Sequence, residues 1–337
     1  MNFYKLSVCV VAYNQKKYIK KTLDSLLMQK TNFFYQILIS DDASTDGTAD
    51  IIYDYSIRFP SIIKPVFNKI NIGPFLNSIN TYKRADTEYV AICDGDDYFT
   101  DPLKLQKQVD FLDKNLNCSI CFHPVLVKWE DNSKKDSFYP SEKIWKSRRF
   151  YTIEDLLNYN FIQTNSVMYR WLFNKKNFLK FYKQELAPGD YFLHLLHAKF
   201  GDIGFIEEVM AVYRRNPGGI WINAELSLEW YFRCGIPSIR FLLEVHRLFF
   251  KDCSKKINEL ATLTEISMKL LGDSSKLSEL YKLVPKILPK PKFLLVRYYF
   301  LLLIKFFVFG RLRFFVKQRI SFLKKIIFVC SQKVKRY

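Results

Sequence analysis

At 337 residues and 49% hydrophobic content, the chain is long enough to bury one large core or two smaller ones. Its net charge of +19 is localised: 15 Lys/Arg and no Asp or Glu fall between Leu280 and Tyr337, so residues 1–279 carry only about +4 by difference and are not broadly basic. The seven cysteines, at 9, 93, 118, 121, 234, 253 and 330, exclude a compact disulfide framework, and the Cys118–Cys121 spacing lacks the second Cys or His pair that zinc requires.

Met1 runs directly toward the apolar segment Leu6–Ala12 with no basic region and cleavable stretch before it, which reads as a cytosolic start. Leu6–Ala12 is β-branched and apolar, the pattern of a buried strand ended by Tyr13-Asn14. Tyr18–Met28 has helical periodicity, with Ile19, Leu23 and Leu26/Leu27 on one face. A second strand, Tyr35–Ser40, leads into the polar turn Asp41–Thr48, and a helix over Ala49–Phe59 follows. This alternation predicts a mainly parallel sheet with helices on its faces.

Ile63–Phe67 is expected to be a strand, Phe75–Lys83 a helix, and Tyr89–Cys93 a strand ending in Asp94-Gly95-Asp96-Asp97. Asp101-Pro102 marks the next helix start, and Cys118–Trp129 reads as a strand pair or one long strand. Glu130–Arg149 is polar and charged, as a surface loop would be. Beyond it are expected a short helix at Ile153–Leu157, a strand at Ser166–Tyr169, a helix from Gly189-Asp190 through Phe200, and a strand or hairpin over Gly204–Tyr213. Residues 225–283 have helical spacing, and Pro285, Pro289 and Pro291 mark a hinge.

Acidic residues recur at strand ends: Asp41/Asp42, Asp94/Asp96/Asp97 and Asp190 ahead of a helix. In an open α/β sheet, ligands bind beyond the carboxyl ends of the strands, so these groups are candidates for one crevice. Their charge suits a cation bridging phosphates and opposes a nucleic-acid backbone. No glycine-rich dinucleotide loop follows the first strand, and Walker and Gly-x-Ser-x-Gly motifs are absent from the sequence.

Over roughly residues 5–222 the ordered blocks resemble the family 2 glycosyltransferases of GT-A fold: Ser7–Asn14, Ile39–Thr48, Asn71-Ile72-Gly73 with Asn77, Asp94-Gly95-Asp96, Gln163–Arg170, Pro188–Tyr191 and Tyr213–Trp221. The resemblance implies an α/β, Rossmann-like domain with a mainly parallel mixed sheet and a C-terminal helical extension. It implies inverting transfer of a sugar from a nucleoside diphosphate donor, with UDP favoured, to a hydroxyl of a glycan or lipid-linked saccharide. On the donor side it points to Tyr13, Asp42, Asn71, Arg84, Asp94, Asp97 and Arg214. For Asn71 a turn role, for Arg84 a solvated surface role and for Asp97 a turn cap are the competing readings.

The same resemblance makes Asp96 a ligand of Mn²⁺ or Mg²⁺ and Asp190 the catalytic base, with a helix cap as the competing reading of Asp190. One position departs from the family pattern: Asn216 stands where a histidine usually helps hold the metal or diphosphate, and it is expected to contact the metal through oxygen. The alternative to an enzyme is a non-catalytic, membrane-associated glycan-binding or scaffold protein that retains the fold.

The expected division is a catalytic domain at 1–224, a helical subdomain at 225–284 and a basic aromatic tail at 285–337. In the tail, Phe293–Phe309 is almost wholly apolar but is interrupted by Arg297 and Lys305, too short a run for a regular span. Arg311–Cys330 sets Arg313, Lys317 and Lys324 against Leu312, Phe315, Val316, Leu323 and Ile326, a division that Arg319 spoils. This pattern fits an interfacial helix on an anionic membrane, hence a peripheral protein of the cytoplasmic face. No nucleic-acid partner is expected, and an oligomer is compatible with the sequence.

Overall fold

The computed structural model describes residues 4–145, 148–173, 180, 182, 184–216, 228–271 and 276–284. They fall into two compact units, divided between Ile222 and Asn223. The tail at 285–337, with its expected amphipathic helix, lies outside the described residues.

In the first unit, β1 (Leu6–Ala12) lies at the sheet centre because both its faces are apolar, six of its seven residues being buried. It pairs in parallel with β2 (Tyr35–Asp41) and with β4 (Tyr89–Ile92), while β3 (Ile63–Phe67) adds in parallel outside β2. Antiparallel β10 (Met168–Arg170) joins β4 to β6 (Cys118–Phe122), and β11 (Asp202–Phe205) and β9 (Phe150–Tyr151) complete eight strands in the order β3-β2-β1-β4-β10-β6-β11-β9. Helices α1 (Lys16–Leu27), α2 (Thr48–Arg58), α3 (Pro74–Tyr82) and α4 (Lys104–Lys114) connect the strands. From α1, Ile19, Leu23 and Leu26 enter the core, as the periodicity predicts.

A second sheet, β5-β12-β7-β8, is built from β5 (Tyr98–Phe99), β7 (Val125–Trp129), β8 (Ser137–Tyr139) and β12 (Ala211–Arg215). Here the structure corrects two expectations. The run Cys118–Trp129 holds two strands, as one of the two readings had it, but they do not pair with each other: His123-Pro124 turns the chain from β6 in the large sheet to β7 in the small one. The segment Gly204–Tyr213 divides in the same way between β11 and β12. The polar segment 130–149 is mostly exposed but carries β8 and the single turn α5 (Glu142–Trp145). Next come α6 (Ile153–Asn158), a 3₁₀ turn at Thr164–Ser166 where a strand was expected to begin, and α7 (Gly189–Ala198).

The second unit contains α8 (Leu228–Phe249), α9 (Ser254–Leu271) and α10 (Leu277–Leu283), in line with the helical spacing. Close packing of α8 on α9 requires Gly235, where a Cβ would fall 2.1 Å from Thr264 Oγ1. Glu265 of α9 accepts from Tyr281 of α10 at 3.1 Å.

Candidate active site

The carboxylate turn follows β4 and is anchored to β1 through its main chain. Cys93 N donates to Cys9 O (3.1 Å) and Gly95 N to Val11 O (3.0 Å), while the Thr22 hydroxyl of α1 shares its hydrogen between the carbonyls of Gly95 (2.8 Å) and Asp97 (2.6 Å). Glycine is required at 95 by close approach, since a Cβ there would lie 2.2 Å from Gln15 Oε1 and 3.0 Å from Val11 O. The local consequence is a turn that presents three carboxylates at the carboxyl edge of the sheet.

The small sheet supplies the cations and donors opposite this turn. Arg214 on β12 donates its main-chain N–H to Asp97 Oδ1 (2.8 Å) and its Nη1–H to Asp96 O (2.9 Å). Its guanidinium lies 4.4 Å from the Tyr98 ring centre and 3.6 Å from Glu130 Oε1. Asn216 donates from Nδ2 to Asp96 Oδ2 at 2.6 Å. An ionised carboxylate accepts only, so the amide turns its nitrogen toward Asp96 here.

Burial, with the charges of Asp96 and Asp190 added, pushes Asp94 up to about 7. Burial also raises Asp96, against the lowering pull of Asn216 and Arg214. Asp97 is driven well above the carboxylate range by burial and by its two neighbours, and its Oδ2 is a buried oxygen without a hydrogen-bond partner. Such a turn gathers more negative charge than its protein surroundings neutralise.

These features fit a hard dication. The donors are all oxygen, they include an unpartnered buried one, and burial raises their proton affinity, with like-charge repulsion adding to it at Asp94 and Asp97. Among the described residues no group of three or more His, Cys, Asp or Glu forms a metal cage. The fit is to a cation held by one or two carboxylates and completed by substrate phosphates, a habit of Mg²⁺.

Asp42, at the end of β2, is buried and organises the loop before α3. Its Oδ1 accepts from Asn68 Nδ2 and Ile72 N, and its Oδ2 from Gly73 N, each at 2.9 Å. Three of about four carboxylate acceptor positions are thus used, which leaves one on Oδ2. Gly73 has φ +86°, a left-handed value that explains the glycine before Pro74. Asn71 is exposed and accepts from Gly73 N (3.0 Å), a turn contact. Tyr13, just past the end of β1, is 47% exposed.

Arg84 is placed differently from the other candidates. Its guanidinium donates to the carbonyls of Ile39 (3.4 Å) and Lys64 (2.5 Å), joining the end of α3 to β2 and β3, and no described contact links it to the acidic turn. Asp190, in the first turn of α7, accepts from Thr164 Oγ1 on Oδ2 and from Tyr191 N on Oδ1, both at 2.8 Å. Its charge raises Asp94, and both carboxylates raise the buried Tyr82, which puts the two acidic elements in one electrostatic neighbourhood.

Sequence reasoning named no role for Thr22, Asn68, Tyr98 or Glu130, all of which hold the site together, and it took Thr164 only as part of a pocket-lining block. A hydroxyl on the apolar face of a predicted helix was the available signal for Thr22. A cavity of about 680 Å³ along α4, lined in part by Lys107, Phe111, Arg149 and Phe205, shares no residue with this site.

Comparison with known proteins agrees with this geometry. The Mycobacterium tuberculosis (strain ATCC 25618 / H37Rv) protein Rv1520 is 43% identical over 219 residues, 65% of this chain, and the match spans 61% of that relative's length. The structure of Staphylococcus aureus TarS 1–349 in complex with UDP-GlcNAc superposes with a TM-score of 0.54 at 19% identity, covering 85% of this chain and 82% of that one. The mannosyltransferase PcManGT of Pyrobaculum calidifontis, in complex with GDP-Man and Mn²⁺, gives a TM-score of 0.50 at 15% identity over 73% of this chain and 65% of that one. At such identities the likeness establishes the fold, which is GT-A. Residues 7–217 match the glycosyl transferase family 2 description from end to end of the acidic elements, and the chain belongs to that family.

Proposed function

We propose that the protein is an inverting glycosyltransferase that moves a sugar from a nucleoside diphosphate, UDP foremost, to a hydroxyl of a glycan or lipid-linked acceptor. The observation that carries this reading is that β12 holds both acidic elements, about a hundred residues apart in sequence: Asn165, next to the Thr164 that bonds Asp190, donates to Val212 O, and Arg214 N donates to Asp97 Oδ1. In the proposed reaction the acceptor oxygen bonds to the anomeric carbon as the carbon–oxygen bond to the diphosphate breaks. The electron pair leaves with the nucleoside diphosphate, and the acceptor proton passes to Asp190.

Asp42, through its remaining Oδ2 position, accepts from the base, and Tyr13 offers an aromatic face to it. Arg214, pinned by Asp96 O and the Tyr98 ring, sets a fixed cation beside the diphosphate. Asp96, oriented by Asn216, would hold Mn²⁺ or Mg²⁺, which when bound neutralises charge on the leaving diphosphate. The complexes of TarS with UDP-GlcNAc and of PcManGT with GDP-Man and Mn²⁺ support a nucleotide-sugar donor and a divalent ion on this fold.

We further propose a peripheral location on the cytoplasmic membrane face, on the strength of the basic, aromatic sequence after Leu280. Among the described residues no helix is long and apolar enough to cross a membrane. The function is tested by screening nucleotide sugars for turnover with Mn²⁺. Donor consumption that is lost in Asp96→Ala and strongly reduced in Asp190→Ala supports the enzyme, whereas binding without turnover supports a glycan-binding protein.

A further inference from the structure

We infer that Thr164 is the positioning residue for Asp190, an assignment that rests on reading Asp190 as the base. The Thr164 hydroxyl donates to Asp190 Oδ2 at 2.8 Å, while the other oxygen accepts from Tyr191 N at 2.8 Å. A carboxylate held on both oxygens has lost its rotation about Cβ–Cγ, and each oxygen keeps a second lone pair for an incoming hydroxyl. Orientation of this kind lowers the barrier by removing the need to order the base during reaction.

Thr164 is itself buried and rigidly mounted. Its 3₁₀ turn is closed by Ser166 N and Oγ on Gln163 O (2.9 and 2.7 Å). Gln108 Nε2 of α4 donates to Ser166 O at 2.8 Å, and Asn165 Nδ2 donates to Val212 O of β12 at 2.9 Å. Two residues along β12, Arg214 N holds Asp97. One strand thus ties the turn that orients the base to the turn that bears the carboxylate cluster. A purely structural threonine would stitch the turn to α7, and its loss would be felt in folding and donor binding alike.

The test uses the full chain with Mn²⁺ and the UDP-sugar that the wild type turns over, with UDP binding measured by calorimetry. Thr164→Val should lower kcat by about tenfold or more while leaving the donor KM and the affinity for UDP within about twofold, as expected when the base loses its orientation and the donor loses no contact. Thr164→Ser should restore most of kcat. If the valine variant does not fold, Thr164→Ala carries the same reading without added bulk. Wild-type kcat in the valine or alanine variant, or an equal loss in the serine variant, overturns the assignment. Asp190→Asn separates the two levels: full turnover there overturns the base and Thr164 with it, whereas a strong loss there with unaltered Thr164→Val overturns Thr164 alone.

Discussion

Asn216 donates its side-chain amide to Asp96 Oδ2 at 2.6 Å across 120 residues of sequence, so the end of β12 fixes the rotamer of a carboxylate that follows β4. The position that usually carries histidine in the family thus serves here as an orienting donor. Asn216→Ala should lower kcat/KM for the donor by about 10-fold to 100-fold, the range for a hydrogen bond to a charged group. Asn216→His should retain turnover while changing the dependence on Mn²⁺ concentration, because imidazole offers a ligand nitrogen. Mn²⁺ titrations of the three proteins check both, and total loss of donor turnover in the histidine variant would contradict the account.

Gly95 allows the acidic turn to lie against β1. A methyl group there meets Gln15 Oε1 at 2.2 Å, which a side chain can relieve, and Val11 O at 3.0 Å, which belongs to the central strand. Gly95→Ala should therefore cost about 1–3 kcal/mol in urea unfolding and reduce turnover further, by displacing Asp94 and Asp96. An unchanged midpoint with full activity would show that the turn has room to spare.

Lys104 is fully buried on α4, with Nζ donating to Gln108 Oε1 at 2.7 Å and lying 3.9 Å from the Phe99 ring centre. Burial pulls its pKa from 10.5 down to about 7. Above pH 7 the unfolded chain keeps a proton that the folded chain releases, so stability rises with pH toward 10 relative to a variant lacking the amine. The difference between wild type and Lys104→Met should grow in favour of wild type between pH 7 and 9 by up to about 1.4 kcal/mol per unit. Parallel stability profiles for the two proteins would refute a neutralised buried lysine.

The sequence after the proline cluster is proposed to meet an anionic surface. Vesicles containing anionic lipid should float the full chain and leave behind a version ending at Leu283, with binding weakened by salt. Equal partitioning of both proteins would remove the membrane from the account.

How much of this could be read in advance depended on the range of the interaction. The Asp94–Asp97 turn was legible because an apolar strand, a glycine and three carboxylates are contiguous, and the sheet topology that brings Asp190 to the same region follows family order. The exchange of strands between sheets at His123-Pro124 was not legible, because β6 and β7 are locally alike and their sheet is chosen by partners elsewhere, β10 and β11 for one and β12 and β8 for the other. Arg84 shows the same limit on one side chain: an arginine after a helix looks alike whether it lines a pocket or, as here, ties down the carbonyls of β2 and β3. Asn216 was located by motif, but its partner atom required the two sheets to be in place.

In the proposed reaction Asp190 takes the acceptor proton beside a diphosphate clamp built on Asp96. The most direct test of this role is single-turnover kinetics of the full chain with the donor identified by screening, comparing wild type with Asp190→Asn at equal donor occupancy. The variant should bind UDP as the wild type does and lose at least about a hundredfold in the chemical step, the range attributed to a general base. A variant that transfers sugar at the wild-type rate would contradict it.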